Sequence, residues 1–291
     1  TGSVRVFCYT DGVTRETKQK EKEIFIMACK NTYNKADTEV SMETTEMSSA
    51  VAEQVDRLLF GVESETAANT LLQNNLDLFE WVVRNKIYPN FFGRYITGEN
   101  SLTEQEIAYL HEKGCKIAVL CAADNVPQSD EGGKLFAKKM CIRALELGIP
   151  AGTAIFLELR EKDPVGRDFL RGYAKELLTD GFIPGFKANT DARFAFDREF
   201  SRGMQTDREV FRQCLVWAVA PTVKEYDGMT TTHLIHPDNW TPFAPSGVSR
   251  REIAVWQYGN GCHQIEDDSG AMTSFDLDLV RNESVIVEKM F

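Results

Sequence analysis

Carboxylate side chains lie at the ends of several short apolar segments, where they could carry out acid–base chemistry. Glu63 follows one such segment, Glu158 closes another, and Asp276 lies in a third. Hydrolysis of a glycosidic bond needs a carboxylic acid that protonates the leaving oxygen and a carboxylate that attacks or stabilises the anomeric carbon. Two aromatic residues in further segments, Tyr95 and Trp256, could pack against the apolar faces of sugars. The combination favours a glycosidase.

Eight apolar segments that begin at Leu58 alternate with amphipathic segments and predict the elements that position these side chains. The predicted strands are 58–62, 91–95, 116–120, 154–157, 183–186, 215–219, 253–258 and 275–277, and the predicted helices are 76–84, 103–113, 132–147, 163–178 and 207–213. Apolar strands that alternate with helices indicate a parallel sheet. Eight repeats favour an α/β fold of the (β/α)8 TIM-barrel type, whose sites lie at the carboxyl ends of the strands. A doubly wound sheet is the alternative.

The alternation of predicted strands and helices also divides the chain into two regions. Residues 1–57 carry no comparable alternation and are predicted to be a mainly helical N-terminal extension. Residues 58–291 approach the length of one barrel, about 250 residues. The last two units contain little helical pattern, so we expect the barrel to be irregular where it closes.

Composition excludes several classes of protein. The 291 residues carry a net charge of −11, which disfavours nucleic acid as a partner. No run of about 18 apolar residues predicts a membrane span. The seven cysteines contain no Cys-x-x-Cys pair and are predicted to be mostly buried free thiols. Free thiols leave a cytoplasmic location open.

A possible metal site is the pair His233 and His236 with Asp238. These residues supply two imidazoles and one carboxylate in a proline-rich segment. A zinc site commonly needs three or four ligands. We therefore predict no metal, and no nucleotide-binding glycine motif follows any predicted strand.

Six short motifs in residues 58–291 give the chain a family resemblance through their order. They are the segments Phe60-Gly61-Val62-Glu63, Phe92-Gly93-Arg94-Tyr95, Pro184-Gly185-Phe186-Lys187-Ala188-Asn189, Leu215-Val216-Trp217-Ala218-Val219-Ala220, Val255-Trp256-Gln257-Tyr258 and Phe275-Asp276-Leu277-Asp278. This order resembles bacterial glycoside-hydrolase-like domains of uncharacterised function, which are related to the family 25 glycoside hydrolases, the lysozymes or muramidases. The resemblance implies a barrel that hydrolyses peptidoglycan without a cofactor, in an extracellular or cell-wall location.

The resemblance also implies roles for individual residues. Glu158 corresponds to the proton donor of the lysozymes, and Glu63 and Asp276 correspond to assisting carboxylates on the first and eighth strands. Five residues are expected to contact the substrate: Tyr95, Asn189, Trp256, Gln257 and Asp278.

Three departures from the lysozyme pattern leave alternatives open. Phe156 stands where the lysozymes carry an aspartate, Glu63 replaces an aspartate, and Asp278 replaces an asparagine. A phenylalanine beside Glu158 is expected to raise the pKa of that carboxyl by desolvation, which suits a general acid. The alternatives are a non-catalytic barrel that binds glycan or cell wall, and a cytosolic barrel enzyme with another substrate.

Overall fold

Eight strands of residues 58–291 form one closed barrel. The computed structural model describes residues 58–123, 128–223, 237 and 239–291. The strands are β1 (Leu58–Glu63), β2 (Phe91–Tyr95), β3 (Lys116–Ala122), β4 (Ala154–Leu159), β5 (Ile183–Asn189), β6 (Leu215–Val223), β7 (Val255–Glu266) and β8 (Met272–Arg281). Each strand pairs with the next, and β8 pairs with β1. The predicted TIM-type barrel is therefore confirmed, and the doubly wound alternative is wrong.

Six helices connect the first six strands. They are α1 (Leu78–Arg84), α2 (Glu104–Glu112), α3 (Asp130–Glu146), α4 (Arg167–Thr179), α5 (Ala195–Thr206) and α6 (Arg208–Phe211). Asp77, Thr103 and Ser129 cap α1, α2 and α3, each accepting a hydrogen bond from a backbone N–H in the first turn.

Helix α5 was absent from the sequence-based prediction. Its buried side chains include Phe196 and Phe200, four residues apart, with Gly203 on the same face. This spacing is the signal that could have revealed the helix.

The barrel closes irregularly, as predicted. Strands β1 to β7 run parallel, whereas β8 is antiparallel to both β7 and β1. A hairpin rather than a helix joins β7 to β8. Because β8 runs in the opposite direction, its first residues, rather than its last, lie at the end of the barrel where β1 to β7 finish.

Large and small side chains alternate inside the barrel. A Cβ on Gly61 would clash with the Phe91 ring, and a Cβ on Gly185 would clash with the Phe156 ring. The Phe156 and Trp217 rings meet edge to face, with centroids 5.3 Å apart. The interior is thus a packed core that supports the polar end above it.

The predictions for the cysteines, a membrane span, the N-terminal extension and a metal site concern features other than the barrel strands. The cysteines among the described residues, Cys115, Cys121, Cys141, Cys214 and Cys262, are free and all but Cys214 are buried, as expected. None of the described helices has the length and apolar character of a membrane-spanning helix. The predictions for residues 1–57 and for His233, His236 and Asp238 lie outside the described residues.

Candidate active site

Inward-facing residues at one end of the barrel bring charged side chains from four strands together. Side chains alternate between the two faces of a strand, so residues two apart share a face. On β4, Glu158 faces inward two residues after Phe156, and on β5, Lys187 faces inward two residues after Gly185. On the antiparallel β8, Asp276 is the register partner of Glu63. The three carboxyl groups predicted to be catalytic thus lie at the same end.

Lys187 is the centre of this cluster. Its Nζ donates to Glu63 Oε1, to Glu158 Oε1 at 3.1 Å and to the Tyr95 hydroxyl at 3.4 Å. The Lys187 side chain is 3% exposed, Glu63 is 4% exposed and Glu158 is 16% exposed. Because both glutamates bind one nitrogen, their nearest oxygens lie within about 6 Å of each other.

Tyr95 fixes the orientation of Glu63. Its hydroxyl donates to Glu63 Oε1 at 2.6 Å. Burial, together with the charge of Glu63, raises the pKa of Tyr95, so the hydroxyl stays protonated and remains a donor. Glu63 Oε1 therefore accepts two hydrogen bonds, whereas its Oε2 is buried without a partner among the described residues.

Arg160 neutralises Glu158 from the solvent side. Arg160 Nε lies 3.3 Å from Glu158 Oε2, and its second terminal nitrogen lies 3.4 Å from Glu65 Oε1. Glu158 therefore contacts a cation through each of its two oxygens: Lys187 below and Arg160 above.

Asp276 is held by β7 and by the turn of the β7 strand around Gly261. Gln257 Nε2 donates to Asp276 Oδ2 at 2.9 Å, and the Gly261 backbone N–H donates to Asp276 Oδ1 at 2.7 Å. Burial raises the pKa of Asp276 more than the charge of Lys187 and the Gly261 hydrogen bond lower it.

Asp278 lies deeper in the barrel than Asp276. It is fully buried, and its Oδ1 accepts a hydrogen bond of 2.9 Å from Trp217 Nε1. Its Oδ2 has no partner among the described residues. Burial and the charge of Glu63 place the pKa of Asp278 well above its ordinary value, so its neutral form is favoured.

The two glutamates that share Lys187 have pKa values shifted in opposite directions. Burial raises the pKa of Glu63 to about 7, more than the charge of Lys187 lowers it. Burial also tends to raise the pKa of Glu158, but the charge and hydrogen bond of Lys187 and the charge of Arg160 outweigh it and leave that pKa below 4.5. For Lys187, burial acts to lower the pKa, but the charge of Glu63 holds it well above 10.5.

The expected effect of Phe156 on Glu158 is therefore wrong. Phe156 is fully buried beneath the cluster, where it packs on Trp217. Desolvation of Glu158 is real, but two cations in contact with its carboxylate override it. It is Glu63, rather than Glu158, whose pKa is raised.

One of the predicted substrate contacts, Trp256, lies elsewhere. Trp256 precedes Gln257 on β7, and neighbouring residues of a strand face opposite sides. Gln257 therefore reaches Asp276, whereas Trp256 is fully buried on the outer face against Trp240 and donates to Ala220 O. Asn189, at the end of β5, donates to Glu161 Oε1 at 2.7 Å.

An open cavity of about 560 Å³ lies above the cluster. Its walls come from the segments after β1, β2 and β4 and from the β7–β8 hairpin. Its lining residues include Glu63, Glu65, Tyr95, Asn100, Glu158, Arg160 and Asp276. Among the described residues, no group of histidine, cysteine and acidic side chains is arranged to hold a metal ion.

Sequence reasoning missed three residues of the cluster as site residues. Lys187 and Arg160 set the charge of Glu158, and Trp217 holds Asp278. The signal for Lys187 was its position two residues before Asn189 on the same strand, which places both on one face. Nothing in the sequence indicated that Lys187 would bridge two strands.

Comparisons with known proteins support the fold. No protein-family model and no curated protein matches the chain. A solved structure of an uncharacterized B. stearothermophilus protein matches with a TM-score of 0.63 and 23% identity, over 80% of this chain and 100% of that one. The catalytic domain of endolysin ply40, from a Listeria monocytogenes bacteriophage, has a TM-score of 0.45 and 14% identity over 80% and 97% of the two chains.

A family GH25 lysozyme from Aspergillus fumigatus has a TM-score of 0.44 and 11% identity, over 80% of this chain and 98% of that one. The chain thus has the barrel fold of the B. stearothermophilus protein.

Proposed function

We propose that the chain is a glycosidase that hydrolyses peptidoglycan or a related glycan. The observation that carries the proposal is the convergence of Glu63, Glu158 and Asp276 on one open cavity at the end of the barrel. Barrel enzymes place their reacting groups at this end. Such a substrate implies that the protein acts in the cell wall or outside the cell.

The opposite pKa shifts support separate roles for the two glutamates. A general acid works best with a pKa near the working pH, which fits Glu63 at about 7. The partner must remain ionised to attack or stabilise the anomeric centre, which fits Glu158 with its lowered pKa. The sequence assigned the proton to Glu158, and we reverse that assignment.

The remaining groups orient this pair. Tyr95 and Lys187 both donate to Glu63 Oε1, so a neutral Glu63 carries its proton on Oε2. This oxygen is buried in the free protein, so the substrate must uncover it before it can protonate the leaving oxygen. Asp276 is fixed by Gln257 and Gly261, and it lines the same cavity. From there it would assist by stabilising positive charge on the sugar ring or by orienting a water molecule.

The separation of the two carboxyl groups bears on stereochemistry. Retaining glycosidases hold their two carboxyl groups about 5–5.5 Å apart, and inverting enzymes hold them about 6.5–9.5 Å apart. Glu63 and Glu158 both bind Lys187 Nζ, which fits the shorter separation. We therefore expect the anomeric configuration to be retained.

One observation favours a second candidate, a non-catalytic barrel that binds glycan. Lys187 lies between Glu63 and Glu158 and uses its three donors on them and on Tyr95. A cation so placed neutralises charge that hydrolysis would need, unless the substrate displaces it.

Purified bacterial sacculi distinguish the two candidates. The glycosidase releases reducing ends and soluble muropeptides, and Glu158→Gln and Glu63→Gln each reduce the rate by about 100-fold or more. The exposed Glu112→Gln, outside the cavity, is the matched control and keeps most of the activity. Equal release by the wild type and Glu158→Gln would overturn the assignment. Binding to sacculi with no release of reducing ends would instead favour the binding protein.

A further inference from the structure

A second cavity of about 310 Å³ adjoins the one above the carboxyl cluster. Thr97, Gly98, Glu99 and Ala122 line only this smaller cavity, whereas Glu158 and Asp276 line only the larger one. Four residues line both: Glu65, Tyr95, Asn100 and Arg160. The two cavities are therefore compartments of one groove that share a wall.

The shared wall contains one ion pair that crosses the groove. Arg160 follows β4, Glu65 follows β1, and their nearest nitrogen and oxygen are 3.4 Å apart. Their side chains are 55% and 76% exposed, and exposed pairs at such distances contribute little free energy. The ion pair can therefore break at a small cost in free energy.

The walls on either side of the ion pair are fixed by a buried arginine. Arg94 donates to Ser64 O at 2.5 Å and to Asn100 O at 2.7 Å, and so ties together the segments after β1 and β2. Arg94 is itself held by Glu106 at 2.6 Å. Opening the Arg160–Glu65 pair therefore leaves the groove in place and removes only its partition.

We propose that the Arg160–Glu65 ion pair is a gate across a single oligosaccharide groove, with consecutive sugars occupying the two cavities once the pair opens. This inference rests on the proposed function. It extends that function to an oligosaccharide whose sugars occupy both cavities, on either side of the Arg160–Glu65 pair. Arg160 is then the residue that determines specificity. Released from Glu65, it stays beside Glu158 and offers its other guanidinium donors to sugar oxygens at the junction.

Binding of soluble oligosaccharides of two lengths tests the gate. The probes are N-acetylchitohexaose, long enough to cross the ion pair, and N-acetylchitobiose, which fits one cavity; their affinities are measured by calorimetry. Glu65→Gln removes the gate without touching Glu158 and is expected to tighten hexaose binding about two- to fivefold and leave the disaccharide unchanged. Glu112→Gln, an exposed change on α2 outside both cavities, is the control and should change neither affinity.

Salt gives an independent measurement because it screens exposed ion pairs. Raising the ionic strength should tighten hexaose binding to the wild type but not to Glu65→Gln. Equal effects of Glu65→Gln on both oligosaccharides, or the same salt response in both proteins, would overturn the gate. So would absence of binding by either oligosaccharide to every variant. Length-dependent binding without any hydrolysis would overturn the glycosidase alone and leave the gated groove standing.

Discussion

Lys187 Nζ lies 3.1 Å from Glu158 Oε1 and at the same time donates to Glu63. One buried cation thus serves two carboxyl groups, but their pKa values differ in direction. Glu158 has a second cation, Arg160, whereas Glu63 is more deeply buried and faces the charges of Asp276 and Glu158. Burial and the number of cations in contact with each carboxylate therefore together decide which one ionises first.

Replacing Lys187 tests this balance. In Lys187→Met the main cause of the lowered pKa of Glu158 is removed while its burial remains, so that pKa should rise. Activity that depends on ionised Glu158 should then begin at a higher pH, as measured by the pH dependence of kcat/KM. The exposed Lys162→Met is the control and should leave the profile in place. An unmoved acidic limb in Lys187→Met would show that Lys187 does not set the charge of Glu158.

The raised pKa of Glu63 predicts how stability depends on pH. The folded protein holds this proton up to about pH 7, whereas the unfolded chain releases it near 4.5. The contribution of Glu63 to stability is thus fully present below about 4.5 and declines as the pH rises to about 7, by up to about 3 kcal/mol. Urea unfolding at several pH values should show a larger decline in the wild type than in Glu63→Gln, where the raised pKa values of Asp276 and Asp278 leave a smaller one. A parallel decline in both proteins would contradict the prediction.

The contact between Gly185 and Phe156 predicts a cost for any added side-chain volume. A Cβ on Gly185 would lie 2.3 Å from the Phe156 ring, inside a filled barrel. Gly185→Ala should lower the free energy of unfolding by about 1–3 kcal/mol. In a Phe156→Leu background, where the ring is gone, the same change should cost less. Equal costs in the two backgrounds would mean that the ring is not the obstacle.

The buried pair Arg94–Glu106 is expected to be the ion pair whose loss costs most. Both side chains are fully buried, and Glu106 also accepts from the Ala68 backbone N–H at 2.7 Å. Glu106→Gln leaves Arg94 without its counter-charge and should cost about 3–5 kcal/mol in urea unfolding. The exposed pair Arg143–Glu146 provides the control, since Glu146→Gln should lower the free energy of unfolding by less than about 1 kcal/mol. Similar decreases for the two variants would contradict the prediction.

Much of the fold was accessible from local sequence pattern. Apolar segments with carboxylates at their ends predicted eight strands, a barrel and an irregular closure, because burial and side-chain alternation are local constraints. The same pattern identified Glu63 and Glu158, since the ends of parallel strands come to one face of a barrel. Asp276 reaches that face for another reason: β8 is antiparallel, so its first half lies there. It also contained the information to separate Gln257 from Trp256, which alternate on β7 and so face opposite sides.

Only the tertiary structure decided the charge state of these groups. Which carboxyl group is ionised depends on contacts between residues far apart in the chain, such as Lys187 with Glu63 and Arg160 with Glu65. The sequence correctly placed Phe156 beside Glu158, but desolvation by one neighbour is outweighed by two cations whose positions depend on the closure of the barrel. A pKa is the sum of burial and all nearby charges, and that sum exists only once the strands are assembled.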